Sequence, residues 1–463
     1  MKMHCGAVRS VAPGCTLALL FIGVLIDSAS ATGFFVNQQS VRGRGRVDAG
    51  NTAAADELGT AFFNPAGLIQ LWQQDALGDT PRSRPADLLV SAGVQVVWPR
   101  NTQNDTGSTI SSPGTGGVFV PYDGPGTHNP TDPTPIPNVY VARRLAGGDA
   151  AVALTVNGPF GLSTKSSSDW FGRYDAIEAA LFTANIGVVG AYRLAPTLFV
   201  GGGVDVQYAH TKLITAVPDP LGGVPSPATD ARSDTRGHAW TPGFNVGVMY
   251  VPDKDTRFGV HYRSRMKHEI EGSATLTGLQ GPFAPLNGTY AVRADVKLPA
   301  IATVGAWRRV TDRLAVMADA EWYWWSTFDE VRTRFDAPGF ADQVRETRYR
   351  DTWGIAVGAE YHEPGAPLAL RGGIKVDRTP TVNRFRDTTV PDSDRLWLGL
   401  GASYRLSPTR SIDFAFNHVF FRDASVHTTR TFFAGTGADT TVVINGSMNP
   451  VVNTFAVDFH WAF

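Results

Sequence analysis

The sequence contains few cysteines and no long apolar segment beyond its N-terminus. Both cysteines, Cys5 and Cys15, lie within the first 31 residues, so the remainder of the chain has no disulfide and no cysteine-based metal site. After residue 31 no apolar run approaches the ~20 residues that a membrane-spanning helix requires. If this chain crosses a membrane, it must therefore do so with strands.

The sequence also lacks a charge excess and recognisable catalytic motifs. Its formal net charge is −1, which argues against nucleic acid as a partner. It has no Gly-x-Ser-x-Gly motif, no phosphate-binding loop and no paired carboxylates at loop tips, so we expect neither an enzyme nor a bound cofactor. The histidines are scattered without the spacing of metal ligands, and we expect no metal site.

Residues 1–31 have the three parts of a secretory signal peptide. Lys2 and Arg9 provide the positive start, and 15–26 forms a short apolar core. Small residues at 29–31 (Ala-Ser-Ala) provide a cleavage site. The mature chain is therefore predicted to begin at residue 32 and to leave the cytoplasm.

Residues 32–72 have too few large apolar side chains to fold alone. This stretch is rich in glycine and alanine and ends in the turn-forming sequence Asn64-Pro65-Ala66. We expect a polar, small-residue segment ahead of a long series of strands to be enclosed by those strands, inside the lumen of a barrel. We assign 32–86 to an internal hatch and its polar connector.

From residue 87 to residue 463 apolar and polar residues alternate with the period of two that strands require. Val204 and Val206, for example, share one face, while Asp205 and Gln207 share the other. We predict fourteen strands, near 87–97, 137–145, 149–157, 182–193, 197–211, 240–251, 256–271, 290–310, 314–326, 347–362, 367–377, 394–406, 410–422 and 451–463. A soluble sandwich gives the same period, so alternation alone does not identify a membrane protein.

The lengths of the connections favour a membrane barrel. Long and short links alternate strictly, for example 158–181 followed by 195–196. Short periplasmic turns and long external loops are typical of outer-membrane barrels, and an even number of strands places both chain ends on the periplasmic side.

The hatch-like segment, its Asn64-Pro65-Ala66 element and the strands after it resemble the FadL/TodX family of outer-membrane transporters. The resemblance covers about 32–463 and implies an all-β fold: a 14-stranded antiparallel transmembrane β-barrel plugged by a short N-terminal hatch, in the outer membrane of a Gram-negative bacterium. It also implies passive uptake of long-chain fatty acids or related hydrophobic molecules. In this interpretation the barrel is a monomer surrounded by outer-membrane lipid and lipopolysaccharide.

The same resemblance assigns roles to residues along the path of the transported molecule. Hatch positions are Phe34, Phe35, Asn64, Pro65 and Ala66. The end of the third strand is expected to be kinked and to open a lateral gap in the wall at Asn157, Gly158, Pro159, Phe160 and Gly161. From the residues alone, this proline-containing segment also fits an ordinary strand end.

External loops are expected to capture the molecule and basic residues to hold a carboxylate. The capture residues are Trp170, Phe171, Ile177 and Leu181, whose other interpretation is packing over the barrel mouth. Lys212, Arg345 and Arg350 are the predicted carboxylate contacts, although single arginines near loop bases equally fit lipopolysaccharide binding. The family's arginine after the fifth strand corresponds to Thr215 here, which leaves room for neutral hydrocarbons.

Three alternatives to fatty-acid uptake follow. The first is a channel for neutral aromatic hydrocarbons, which needs no carboxylate contact. The second, ranked lower, is a general porin for polar solutes, which a hatch of this length should block. A TonB-energised receptor is disfavoured because the segment before the barrel is too short for a folded plug domain.

Overall fold

The computed structural model describes residues 33–73, 86–127, 129–145, 147–338 and 340–463. The predicted signal peptide (1–31) and most of the predicted connector (73–86) lie outside the described residues. In the part of the chain that is described, no helix has both the length and the apolar character needed to cross a membrane.

Strands dominate the chain, and the described residues contain twenty-two strand segments. The first eleven are β1 (Leu88–Asp105), β2 (Thr109–Ser111), β3 (Val120–Pro121), β4 (Thr134–Arg144), β5 (Ala150–Asn157), β6 (Gly161–Lys165), β7 (Glu178–Ala195), β8 (Leu198–Val217), β9 (Ala231–Asp253), β10 (Thr256–Arg263) and β11 (Met266–Thr277). The others are β12 (Gly288–Leu298), β13 (Ile301–Arg309), β14 (Leu314–Tyr323), β15 (Glu330–Phe335), β16 (Gln343–Glu346), β17 (Thr352–His362), β18 (Leu368–Asp377), β19 (Arg395–Ser407), β20 (Arg410–Phe421), β21 (Ala424–Phe432) and β22 (Thr440–Ala462).

These segments form a closed antiparallel barrel of fourteen strands, as predicted. The barrel closes where β1 pairs with β22, from Leu89 opposite Ala462 to Asp105 opposite Gly446. Three barrel strands are interrupted and count as two segments each: β5 with β6, β10 with β11, and β12 with β13. Segments β15, β16 and β21 extend barrel strands outward, and β2 and β3 form a small hairpin in the first long loop. Closure removes the two edge strands that an open sheet would have.

The two faces of the wall have the chemistry that the alternation predicted. Val204 is 65% exposed on the outside, whereas its neighbour Asp205 is 2% exposed and points into the lumen. On β22 the same contrast separates the exposed Phe455 and Phe459 from the buried Asp458. An apolar exterior and a polar interior are what a barrel in lipid requires.

Several predicted strand boundaries differ from the structure. The sheet continues beyond the predicted ends of β1, β8, β9 and β22, because the polar outer portions still pair with one another above the membrane. The predicted strand 256–271 is broken at 264–265, and 290–310 is broken at 299–300, where Pro299 lacks an N–H for the ladder. The predicted strand 347–362 begins only at Thr352.

The hatch occupies the lumen as short helices joined by turns. It contains α1 (Val41–Arg44), α2 (Thr60–Phe63) and a 3₁₀ helix (Pro65–Trp72). Further 3₁₀ turns lie in the external loops and at the end of β14, at Pro113–Thr115, Gly281–Leu286, Trp325–Thr327 and Asn383–Phe385. Asn64 caps the Pro65–Trp72 helix through the N–H of Ala66, as a short polar side chain before a helix does.

Asn64 also ties the hatch to the wall. Its Nδ2 donates to the carbonyl oxygens of Thr52 (2.8 Å) and Val248 on β9 (3.1 Å). This approach requires glycine in the facing wall, because a Cβ at Gly247 would lie 2.1 Å from Asn64 Oδ1. The Asn-Pro element therefore fixes the position of the hatch as well as its local turn.

Ion pairs inside the lumen hold the remainder of the hatch. Arg42 meets Asp413 of β20 (3.0 Å), and Asp48 meets Lys375 of β18 (3.0 Å). Arg44 also binds Asp48, at 2.8 Å within the hatch itself. A buried charge that loses its partner is costly, so these pairs constrain where the hatch can sit.

Asp319 of β14 binds the hatch backbone, so its substitution tests how firmly the wall holds the hatch. It accepts hydrogen bonds from the backbone N–H groups of Gly50 and Thr52. We expect Asp319→Ala to leave two buried donors unpaired, at ~1–3 kcal/mol each, and so to release this part of the hatch. Protease cleavage within 33–72 and single-channel conductance should both increase in the purified barrel.

The matched control is Asp312→Ala, which removes an exposed carboxylate from the turn before the same strand. The control should behave as the unmodified protein. Equal cleavage and conductance in the two variants would contradict an anchoring role for Asp319.

Candidate functional site

An apolar cavity of about 160 Å³ lies between the hatch and the external loops. Its wall is built mainly by inward-facing side chains of several strands and by the loops above them. Leu162, Leu181, Ile270 and Val390 contribute aliphatic surface, and Phe328 contributes an aromatic ring. Phe34 of the hatch also lines the cavity. The arrangement suits a molecule that is bound by exclusion from water.

The N-terminal end of the hatch joins an aromatic cluster at one boundary of this cavity. Phe34 packs edge-on against Trp325 (centroids 4.7 Å apart) and Phe328 (5.1 Å). Phe35 packs edge-on against Phe160 and lies tilted against Tyr323. Edge-to-face packing of this kind stabilises buried aromatic groups beyond their area alone. Any displacement of the hatch terminus therefore changes the shape of the cavity.

Two of the three predicted carboxylate contacts line the cavity, and both already have acidic partners. Lys212 Nζ lies 2.5 Å from Glu178 Oε1, and Arg345 lies 2.7 Å from Asp175 Oδ1. Arg236, which also lines the cavity, is paired with Asp234. An incoming carboxylate must therefore compete with a protein carboxylate for each of these cations.

Arg350 does not belong with the other two. It is exposed, is not part of the cavity lining, and its Nε donates to the carbonyl oxygen of Thr379 in a neighbouring loop. The family resemblance implies a cation just before the tenth predicted strand, and both Arg345 and Arg350 match that position in the sequence. In the structure, the backbone N–H of Arg350 donates to Pro380 O. This hydrogen bond directs the Arg350 side chain away from the cavity.

The third barrel strand is interrupted at the predicted position. β5 ends at Asn157 and β6 begins at Gly161, and the hatch pairs with the residues between them. Val36 N–H donates to Pro159 O (2.8 Å), Gly161 N–H donates to Phe34 O (3.0 Å), and Phe35 forms an isolated bridge with Phe160. Hatch backbone thus replaces a strand neighbour at this point.

The wall on the other side of the interruption is unpaired. β5 pairs with β4 only from Val139 to Arg144, and β6 pairs with β7. Residues 134–138 of β4 have no partner on the β5 and β6 side within the described chain. This segment contains Pro135 and Pro137, which cannot donate to a ladder. The interruption is therefore a local absence of sheet beside the hatch.

The predicted capture residues are buried, contrary to the expected exposed surface. Trp170 and Phe171 join a loop cluster with residues of three other external segments, including Tyr122, Val426 and Ile444. Trp170 Nε1 donates to Ala176 O (2.9 Å), which closes its own loop. Ile177 belongs to the same cluster, whereas Leu181 lines the cavity. The loops bury these side chains against each other over the barrel mouth.

A buried ionic cluster beside the cavity joins four external segments. Asp175 binds Arg345 (2.7 Å) and Arg430 (2.6 Å), and it accepts hydrogen bonds from the N–H and hydroxyl of Thr388. Burial on its own raises the pKa of Asp175, but the two guanidinium groups and Thr388 hold that pKa below its usual value. Asp175 is therefore a carboxylate that fastens the loops together.

Sequence reasoning missed Asp175, Asp387 and Arg430 as parts of this site. Asp387 lines the cavity and lies within 3.7 Å of Arg345 and 3.6 Å of Arg430. The one signal in the sequence was the presence of a single aspartate in the apolar loop 170–182. Its partners lie 170 and 255 residues further along the chain, so no local pattern connects them.

Comparisons with known proteins agree with this architecture. A family model described as "Outer membrane protein transport protein (OMPP1/FadL/TodX)" matches residues 23–463. The long-chain fatty acid transport protein of Escherichia coli O6:H1 is 26% identical over 427 residues, which cover 86% of this chain and 89% of that protein. The putative outer membrane protein NMB0088 of Neisseria meningitidis serogroup B is also 26% identical, over 90% of this chain and 91% of that protein.

Solved structures show the same fold. A FadL homologue from Pseudomonas aeruginosa superposes with a TM-score of 0.77 at 22% identity, covering 93% of this chain and 100% of that structure. The toluene transporter TbuX of Ralstonia pickettii superposes with a TM-score of 0.64 at 21% identity, covering 92% of this chain and 99% of that structure.

The Asp175 cluster predicts how the loops respond to substitution. We expect Asp175→Asn to leave two buried arginines without their carboxylate, at a cost of ~3 kcal/mol. Hydrogen exchange of 166–177, measured by mass spectrometry, should then become about a hundredfold faster. Asp169→Asn, an exposed aspartate in the same loop, is the control and should leave exchange unchanged.

Asp175 also determines how far the pH can fall before the contacts between the loops weaken. Because the folded-state pKa of Asp175 is lowered, its contribution to stability is complete above the ordinary aspartate value of ~3.9 and is lost as pH falls below it. Exchange of 166–177 should remain slow at pH 5. Rapid exchange there would contradict the assignment.

Proposed function

This chain belongs to the outer-membrane transport protein family that includes FadL and TodX, and from that premise we propose a route for its cargo. The family and its relatives place it in the outer membrane as an uptake protein for hydrophobic compounds. In the proposed route, external loops capture the molecule, the apolar cavity binds it, and the interruption of the third barrel strand releases it sideways. The observation that carries the proposal is the apolar cavity, which is lined by Phe34 of the hatch. The cations that line it, Lys212, Arg236 and Arg345, are all ion-paired.

Capture begins at exposed loop tips and continues into the loop cluster. Phe119 is 52% exposed and Leu221 is 53% exposed, and their two loops are joined by the hydrogen bond from Gly114 N–H to Pro220 O. Exposed apolar groups at this height offer a first surface for a hydrophobic molecule. Because Trp170 and Phe171 lie buried, passage beyond the tips requires the loops to part.

Binding in the cavity is dominated by apolar contact. A 16-carbon chain would gain about 12 kcal/mol from burial at ~0.8 kcal/mol per CH₂, before entropic costs are subtracted. Such a ligand leaves slowly unless a conformational change weakens its binding. Displacement of Phe34 with the hatch terminus is the proposed change, and it needs no ATP.

Neutral aromatic hydrocarbons are a second candidate, favoured by the size of the cavity. A volume of about 160 Å³ is close to the ~150 Å³ apolar cavity that accommodates benzene in an engineered protein. A long acyl chain must extend beyond this volume or enlarge it. A general porin fits the structure less well, because the hatch fills the lumen with buried, paired groups.

Release is proposed to occur beside the hatch. Leu162 lines both the main cavity and a smaller one of about 20 Å³, and it follows directly on the interruption at 158–160. The molecule would pass from the cavity through the unpaired region next to 134–138 into the membrane. It would then never cross an aqueous pore.

The paired cations predict weak dependence on a charged head group. We expect a long-chain fatty acid and its methyl ester to differ in binding free energy by only ~1–2 kcal/mol, the contribution of one charge-assisted contact. Isothermal titration of both ligands into the purified barrel measures this difference. A loss of a thousandfold or more on esterification would show that a carboxylate site dominates binding.

Restoring a regular third strand should block release. We expect changing Gly158, Pro159 and Gly161 together to valine, a β-forming residue, to rebuild the ladder and fill the opening with side chains. Ligand binding from outside should persist, while cellular uptake falls to the level of a deletion strain. Valine at Gly190, Gly202 and Gly372, other wall glycines, is the control for added bulk.

Correct assembly of both variants is checked by heat-modifiable migration on gels. Normal uptake by an assembled triple variant would mean that cargo leaves by another route, most simply downward past a displaced hatch.

A further inference from the structure

A cluster of three metal-ligating side chains joins the hatch to the wall, away from the cavity. Glu57 comes from the hatch, and Asp458 and His460 come from the same inward face of β22. One donor atom from each residue lies within 4.8 Å of the other two. No local sequence pattern indicates this group, because Glu57 precedes Asp458 by 401 positions (458 − 57).

Polar groups around the cluster lack partners among the described residues. Asp458 is 1% exposed, and its Oδ1 atom has no hydrogen-bond donor. Ser91 of β1 lies directly opposite His460 in the ladder, and its buried hydroxyl also has no partner. Buried polar atoms normally bind protein, water or an ion. Two unpartnered groups on neighbouring strands therefore mark a position that suits a ligand.

The wall leaves room for the carboxylate of Asp458. Gly93 lies opposite Asp458 in the ladder between β1 and β22. A Cβ at this glycine would lie 2.9 Å from Asp458 Cγ, so any other residue would displace the carboxylate.

The charges of the cluster do not balance. Arg42 is paired with Asp413, and no lysine or arginine of the described residues forms an ion pair with Glu57 or Asp458. His460 Nε2 lies 2.9 Å from Asp413 and 3.9 Å from Asp458, so one imidazole faces several carboxylates. Buried carboxylates without compensating charge are costly, and a bound cation removes that cost.

We propose that Glu57, Asp458 and His460 bind a divalent transition-metal cation that fastens the hatch to β22. Two carboxylates and an imidazole suit Zn²⁺ better than the all-oxygen environments that Ca²⁺ and Mg²⁺ prefer. Asp413, which Arg42 and Ser403 already bind, contacts His460 Nε2 and so orients the imidazole. His460 is partly exposed and lies opposite Ser411, next to the short turn at 408–409, so the ion enters from the periplasmic end.

The site acts on the hatch and is separate from cargo binding. Its ligands do not line the apolar cavity, and the metal joins a hatch residue to the strand that closes the barrel. A bound ion would therefore hold the hatch in place while leaving the cavity unchanged. The proposal stands whether the cargo is a fatty acid or a hydrocarbon.

The test uses the full-length mature protein in detergent, without a histidine tag. We expect Zn²⁺ to bind with one ion per chain, measured by elemental analysis and by competition with a chelator. Co²⁺ should give the visible absorption of a site with nitrogen and oxygen ligands. Zn²⁺ should also slow protease cleavage within 33–72.

Glu57→Gln, Asp458→Asn and His460→Gln should each weaken Zn²⁺ binding by about tenfold or more. His268→Gln, which removes another buried lumen histidine that contacts Gln207 and Thr241, is the control and should bind normally. Because Glu57 is not part of the barrel wall, the Glu57→Gln variant still measures the contribution of the site to Zn²⁺ binding if the two strand variants assemble poorly.

Three results would overturn the proposal. The first is the absence of one tightly bound ion per chain. The second is equal binding by Glu57→Gln and the unmodified protein, and the third is equal loss in the His268→Gln control. Uptake of hydrophobic compounds is not a readout here, so failure of this site and failure of the proposed function remain distinguishable.

Discussion

The arrangement of this barrel depends on finding partners for a polar hatch inside a closed lumen. The sequence Arg42-Gly43-Arg44-Gly45-Arg46 brings three guanidinium groups out of water. Arg42 reaches Asp413 on the wall, Arg44 reaches Asp48 and Asn417, and Arg46 reaches Asp56. Because each unpaired buried charge costs several kcal/mol, one placement of the hatch is strongly preferred.

That placement connects the lumen to the cavity and to the wall. In the same segment, ahead of the arginines, lie Phe34, Phe35 and Val36. Phe34 lines the cavity, and the backbone of all three residues pairs with the interrupted strand at 159–161. A movement of this terminus changes the cavity, the aromatic cluster and the backbone pairing beside β4 together. Backbone hydrogen bonds and ring contacts therefore connect the hatch to both the cavity and the interrupted strand.

The external side is organised on a different principle. Asp175 draws Arg345, Arg430 and Thr388 together, while Trp170, Phe171 and Tyr122 pack into an apolar cluster. The ionic groups therefore satisfy one another and leave the cavity with an apolar lining. The cations that line the cavity are therefore bound to protein carboxylates.

The sequence by itself determined the strand pattern, the inward and outward faces and the alternation of long and short links. These follow from local rules, since the period of two and the turn residues can be read within a few positions, as Val204 beside Asp205 shows. The turn at Asn64-Pro65 follows from local rules as well, whereas an interruption near Pro159 is implied by the family resemblance and not by the residues alone. Only the tertiary structure decided that Arg345 faces the cavity while Arg350 turns away, that Trp170 is buried, and that Glu57 meets His460. Each of these depends on contacts between segments far apart in the chain, which no local pattern encodes.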